Sequence, residues 1–587
     1  AASVEALDGG RVDVVVVGGG VTGAGCALDA AARGLTVALL EQSDLAAGTS
    51  SRSSKLIHGG LRYLEQWRFA LVREALRERS LITSTLAPHL VHPVPFVYLL
   101  EGGRGRVASW LRRLYVGAGV SAYDLLARLG RRRGASLPWH RHLSRAAVQR
   151  LSPGLDPGAH RGGVLYWDAQ TDDARHTLAL ARTAAAHGAH VLTSMRVVGI
   201  SRADDDAQPG TGWSDVDVVD RESGRRLRVR ARVVVNATGV WSDDIEALGA
   251  GGDGAGAGDA GTATVRVSKG VHLVIPRDRI ALGSGVVLAT AGSVLFVIPW
   301  PPRAGALAGP TATAGHWIVG TTDTDWRLDR THPAASRSDI EYLLEQLNRV
   351  LASPLTVDDV VGVYAGLRPL LADGNSSASR VSREHSVTEP TPGLISVKGG
   401  KYTTYRVMAA DAVDAAVASA GLRVPASSTA KLPLVGAAGP AGADVPAGVA
   451  ARLAAHLVAH LAARHGDQAA AVLDLVAADP SLAEPLVPGC AYLRAEVVHA
   501  VRAEAALHLD DVLTRRTRLS VETSDRAVSA APAAAALMAA ELGWSAEHEH
   551  DEVRGYAERV AAERDSQMRD TDLAADAARR AAADARQ

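Results

Sequence analysis

The chain has 587 residues, too many for one hydrophobic core, and 47% of them are hydrophobic, so two or three well-filled domains are expected. A formal net charge of −1 leaves no global field to draw nucleic acid or a membrane surface, so any basic site has to be local. Only two cysteines, Cys26 and Cys490, argue against a disulfide framework and for a reducing compartment. The opening AASVEALDGG has neither the basic nor the apolar region of a signal peptide, and no run of about 18 apolar residues is present to span a membrane.

Residues 13–41 read DVVVVGGGVTGAGCALDAAARGLTVALLE. The β-branched run at 14–17 suits a strand buried on both faces. Gly18, Gly20 and Gly23 follow as GxGxxG, then an Ala-rich helix, then a second buried strand that ends at Glu41. The first glycine makes the tight turn, the second admits a pyrophosphate and the third lets helix pack on sheet, while an acid at the end of the second strand can accept from a ribose hydroxyl. The expectation is a dinucleotide, FAD or NAD. Next comes QSDLAAGTSSRSSKLIHGGLRYLEQW, in which Thr49, Ser50, Ser51, Ser53 and Ser54 offer hydroxyls, Arg52 and Lys55 offer charge, and His58-Gly59-Gly60 lets backbone pass close to something flat.

This segment and the βαβ unit before it resemble the FAD-dependent glycerol-3-phosphate dehydrogenases, of the D-amino-acid-oxidase-like flavoproteins. Their pattern SSKLIHGGLRYLE stands unbroken at 53–65, with VNATGVW at 235–241, KGVHLVIP at 269–276, GTTDTDW at 320–326, GLRPLL at 366–371 and GLISVKGGKYTTYR at 393–406. The resemblance covers roughly residues 11–580. It implies an α/β fold with a Rossmann-like FAD-binding domain (11–100, 189–247 and 362–425), an antiparallel β-sheet substrate domain (101–188 and 263–361) and an all-α C-terminal domain (430–587).

Further along, residues 104–133 alternate Trp110, Leu111, Leu114, Tyr115, Leu125, Leu126 and Leu129 with arginines, as amphipathic helices do. Such a face suits either an anionic lipid surface or packing on the substrate domain. Residues 189–240 read as strands, 249–262 as a glycine-rich surface loop, 265–319 as an antiparallel sheet and 338–350 as a helix. A strand at 394–397 delivers Lys398-Gly399-Gly400-Lys401 to another helix. Beyond about 430 alanine dominates with periodic leucines, which reads as helical, and the tail from about 566 reads as frayed or disordered.

By resemblance, FAD is held by Gly18, Gly20, Val21, Thr22, Gly23, Glu41 and Gln42, by Thr49, Ser50, Ser53, Ser54 and Leu56, by His58, Gly59 and Gly60, by Ala237, Thr238 and Gly239, and by Gly400, Lys401 and Thr403. The substrate pocket is Arg62, Tyr63, His272, Arg368, Arg383 and Lys401. Four cations suit a phosphate dianion. His272, or else His58, is the expected base, because imidazole titrates near working pH, and an arginine polarising the alkoxide is the alternative. Lys401 at a helix start should steady negative charge on the flavin. The expected reaction is oxidation of sn-glycerol 3-phosphate to dihydroxyacetone phosphate by hydride transfer to flavin N5, with electrons passed to a membrane quinone. The expected location is cytoplasmic, peripheral to the inner face of the plasma membrane, with a homodimer allowed. The rivals are an oxidase that uses O2, a D-amino-acid or glycine oxidase, and an inactive FAD-binding scaffold. No metal site, GxxxxGK[ST] or CxxC is evident, and no nucleic-acid partner is expected.

Overall fold

The computed structural model describes the chain apart from residues 1, 61–62, 64–66, 102–105, 130–136, 204–211, 252–264, 291–293, 302–314, 372–383, 439–452, 584–585 and 587. The expected strand is β1 (Arg11–Val17), followed by α1 (Val21–Ala32) and β2 (Val37–Leu40). β1 is buried on both faces: Val14 and Val16 belong to one core and Val15 and Val17 to another. It pairs in parallel with β2 on one side and with the strand Arg226–Asn236 on the other. Parallel pairing continues outward to Leu394–Gly399 and to His190–Leu192, and a hairpin, Met195–Ala203 with Trp213–Asp220, adds antiparallel strands at one side. α1 is buried almost all round because its residues are small. A Cβ on Gly25 would stand 3.1 Å from the Tyr405 ring and 3.2 Å from Ala409, so the helix Tyr405–Ser419 packs directly on its backbone.

A second, larger sheet centres on the strand Val265–Pro276, flanked antiparallel by His316–Gly320 and Gly362–Leu371. Its alternation is what builds the site. Val271, Leu273 and Ile275 face a core shared with Leu343 and Leu347 of the helix Arg337–Asn348. Ser268, Gly270 and His272 therefore face the other way, toward the flavin sheet. Residues 91–100 and 362–371, expected in the FAD-binding domain, pair into this second sheet. The helix Asp173–Ala186, expected with the substrate domain, contributes Leu178, Ala181 and Ala184 to the core under α1. Strand pairing and helix packing both join segments far apart in sequence, so contiguous stretches are a poor guide to these boundaries.

The C-terminal part is helical, with its own cores around Leu513, Ala534 and Met538 and around Leu461, Val472 and Leu493. The long helix Ala546–Gln567 leads into the tail, and the tail, expected to fray from about 566, instead forms a second helix, Asp572–Arg579. The second seats Ala575 against Trp326 and Leu367, and Asp572 accepts from the buried Lys269 Nζ at 2.5 Å. That lysine is also held by Asp339 at 2.6 Å and lies 4.9 Å from the Trp326 ring. An Ala-rich polar helix looks soluble in sequence; one buried lysine on the far sheet gives it a place to dock. His465, His499 and Glu504 bring ligand atoms within 4.8 Å of one another. A cation is already there: Arg175 donates to Glu504 at 2.6 Å and contacts His465 Nδ1 at 3.0 Å.

Candidate active site

The two sheets enclose a cavity of about 1110 Å³. It runs from Met195 and Glu41, past the glycine loop, to His272, Arg368 and Lys401. The glycine loop is shaped as a phosphate cradle. Gly18 has φ +108°, and a Cβ there would meet the Ala237 carbonyl at 2.8 Å. A Cβ on Gly23 would lie 1.8 Å from the Gly18 carbonyl oxygen. Gly20, Val21 and Thr22 line the cavity at the start of α1, where Ser50 Oγ accepts from the Val21 amide at 2.9 Å. Glu41 accepts from the amides of Gly19 at 2.6 Å and Ser43 at 2.8 Å, and burial pushes its carboxyl up in spite of them.

Most of the expected cofactor residues line this space: Gln42, Thr49, Ser53, Ser54, Leu56 and His58 on one wall, Ala237, Thr238, Gly239 and Gly400 on others. Others act one layer back. The Gly59 amide donates to Tyr123 Oη at 2.8 Å, and Thr403 Oγ1 holds both the amide and the carbonyl of His58 at 3.1 Å. Gly60, at φ +76°, leaves room for the Tyr63 ring. Lys55 is a support: it is buried, bonded to Asp173 at 2.8 Å and to the Ser51 carbonyl at 3.0 Å.

At the far end, cross-strand pairing assembles the chemistry. His272 opposes Tyr364, and their rings stack at 4.8 Å. Gly270 opposes Gly366, and Ser268 opposes Arg368. The guanidinium of Arg368 lies where Gly270 has no side chain: a Cβ there would come within 2.3 Å of Nη2. It bonds Thr321 Oγ1 at 2.9 Å and the Thr322 carbonyl at 3.2 Å, and sits 3.3 Å from Asp323. Gly320 leaves the equivalent gap for His272 on the neighbouring strand. His272 Nε2 is 2.8 Å from Ser54 Oγ, and its buried Nδ1 has no hydrogen-bond partner among the described residues. Burial, with Arg368 and Lys55 adding repulsion, holds its pKa well below the usual imidazole value, so the ring is neutral. Lys401 follows Gly399 and Gly400, both at positive φ, and its Nζ lies 3.6 Å from the centre of the Tyr63 ring. Arg62 and Arg383 lie outside the described residues.

Ser268, Thr321, Asp323 and Tyr364 escaped the sequence reading. Counting by twos back from His272 would have reached Ser268, but the pairing of the three strands has no local mark. Arg515 and Arg586 also border the cavity, from the C-terminal part.

A glycine cradle at a helix start, an acid after the second strand and a cavity reaching into a second sheet define a flavin-dependent oxidoreductase. The sequence agrees: the family of FAD-dependent oxidoreductases matches residues 13–406, and the C-terminal domain of alpha-glycerophosphate oxidase matches 427–549. Glycerol-3-phosphate dehydrogenase 2 of Mycobacterium bovis is 49% identical over 580 residues, covering 98% of this chain and 92% of that protein. The mitochondrial glycerol-3-phosphate dehydrogenase of Macaca fascicularis is 33% identical over 555 residues, covering 91% and 71%. The crystal structure of glycerol-3-phosphate dehydrogenase from Bacillus halodurans complexed with FAD matches with a TM-score of 0.72 at 26% identity, over 95% of this chain and 96% of that one. The chain belongs to the FAD-dependent oxidoreductases and, among them, to the glycerol-3-phosphate dehydrogenase family.

Proposed function

We propose that this enzyme oxidises sn-glycerol 3-phosphate to dihydroxyacetone phosphate at FAD and passes the electrons to a membrane quinone. The observation that carries the reading is the far end of the cavity, where Arg368, Lys401 and a neutral, half-partnered His272 line one wall system. Bound FAD supplies the hydride acceptor. The chain supplies the rest. Arg368, held by Thr321 and Asp323, presents a planar cation to an anionic or developing alkoxide oxygen. Arg62 and Arg383 are assigned to the phosphate with it. His272, uncharged and with Nδ1 unpartnered, is in the protonation state that takes the hydroxyl proton. Lys401 adds positive charge where the flavin's pyrimidine edge is assigned, at a helix start that has the same sign.

Anaerobic mixing with glycerol 3-phosphate should bleach the flavin's visible absorbance, and glycerol alone should do so poorly. A flavin that stays oxidised with glycerol 3-phosphate refutes the substrate. Reoxidation by a soluble quinone should then outrun reoxidation by O2; the reverse order would make the enzyme an oxidase.

A peripheral seat on anionic lipid fits the surface near the site. Among the described residues no helix is long and apolar enough to cross a membrane. The segment 106–129 is one 24-residue helix that buries Val120 and Tyr123 and exposes Tyr115 and Leu125. Trp67 is 79% exposed, and the exposed Trp139 carries Arg128 at 3.8 Å from its ring centre. Aromatic and basic groups together suit the lipid interface. Trp67→Ser with Trp139→Ser should reduce sedimentation with phosphatidylglycerol vesicles while sparing activity with a soluble acceptor. Unchanged sedimentation would move the anchor elsewhere.

A further inference from the structure

The two loops that the cofactor must thread between are fastened by the C-terminal part, through one short run of arginines. Asp44 lies in the loop just after Glu41 and is fully buried. Arg516 grips it with two bonds of 2.7 Å, and Arg515 Nε adds a third at 2.5 Å. Arg515 is itself braced by Asp510 and Asp511, each at 2.6 Å. Asp511 accepts from Arg586, whose Nε bonds Ser194 Oγ at 3.0 Å, and the Ser194 amide donates to the Ser43 carbonyl at 2.8 Å. The second loop is held the same way. Arg518 bonds Asp173 at 2.5 Å and Asp172 at 2.6 Å. Asp173 in turn accepts from the Ser53 amide at 3.0 Å, its hydroxyl at 2.7 Å and Lys55 at 2.8 Å.

The sequence RRTR at 515–518 thus reaches the loop beside Glu41 and the serine loop at once. These arginines are buried, so each pays a desolvation cost that only the opposing carboxylates offset. Undocking the helical part would leave Asp44 and Asp172 buried without their cations and Asp173 with Lys55 alone, and the loops would have to open to hydrate them. We propose that the C-terminal part is a retention element of the cofactor site: its docking through Arg515, Arg516 and Arg518 and the binding of FAD stabilise one another. The inference needs FAD but not the substrate assigned above, so it stands or falls separately from that assignment.

Two measurements test it. Arg516→Ala leaves Arg515 on Asp44 and is the mildest cut. It should speed FAD release from the holoenzyme, read as recovery of flavin fluorescence, by about one to two decades, within the usual range of coupling between sites. Glu522→Gln is the control. Glu522 joins the same helical part to the second sheet, accepting from Trp300 Nε1 at 2.6 Å and Tyr492 Oη at 2.9 Å, neither of which belongs to the two loops. It should lower thermal stability and leave FAD release within twofold of the unaltered chain. Coupling is reciprocal, so amide hydrogen exchange in the unaltered chain at 508–518 should quicken when FAD is stripped, by more than it does at 534–538 in the helical core. Equal release from the Arg516→Ala and unaltered enzymes, or exchange at 508–518 indifferent to FAD, overturns the proposal. If Arg516→Ala does not fold, the exchange measurement decides alone.

Discussion

Gly23→Ala should give a folded protein that purifies without its yellow colour. The added Cβ would lie 1.8 Å from the Gly18 carbonyl oxygen and 3.0 Å from its carbon. Both are backbone atoms in the turn that forms the phosphate cradle, so nothing flexible can give way. The helix start must move off by more than an ångström, and overpacking of this kind typically costs about 1–3 kcal/mol. Alanine's better helix propensity returns at most about 1 kcal/mol, so the clash wins. The damage falls at the start of α1, in the turn that would hold the phosphates, and FAD affinity should drop by about two decades, the upper end of that cost at roughly 1.4 kcal/mol per decade. Gly34→Ala is the comparison. Gly34 has φ +86° but no atom within 4 Å of its Cβ position, so it should lose about 1 kcal/mol of stability and keep its flavin. Titrating FAD into both stripped proteins decides the matter. A Gly23→Ala protein with unaltered affinity would remove the glycine loop from the cofactor site.

Arg368→Lys should lower kcat/KM for glycerol 3-phosphate by about one to two decades, the loss of one charge-assisted bond of about 1.5–3 kcal/mol. Lysine keeps the charge but not the fork, whose Nη2 meets Thr321 Oγ1 at 2.9 Å and whose Nη1 meets Asp323 at 3.3 Å. If the guanidinium touches the reacting oxygen, kcat falls with kcat/KM, and glycerol suffers in proportion. Gly270→Ala should mimic the effect without touching the arginine, because its Cβ would come within 2.3 Å of Nη2 and push the group aside. Steady-state rates within threefold of the parent for both variants would take Arg368 out of the chemistry.

Much of this site was legible because the family's motifs sit where geometry permits only a few residues. Gly18 and Gly23 stand at contacts too tight for any Cβ, and Gly399 and Gly400 at positive φ, so glycine itself marks the place. His272, Arg368 and Lys401 likewise stand close to glycines in the sequence, and all three line the cavity. The reason Arg368 is well held was not legible. Thr321 and Asp323 lie in the loop just after the strand His316–Gly320, and only the antiparallel pairing of 265–276 with both 316–320 and 362–371 brings them to it.

By itself the sequence determined the βαβ cradle, the flavin and the helical C-terminal part. These rest on spacing along one chain segment, where period, glycine placement and side-chain charge act locally. Tertiary structure alone decided that strands 91–101 and 362–371 join the second sheet, that the tail docks on Lys269, and that Arg515, Arg516 and Arg518 close the cofactor loops. Each of those is a pairing between groups remote in sequence. An arginine in an Ala-rich helical stretch looks the same whether it meets water or a buried aspartate, and the difference lies in which carboxylate the fold carries to it.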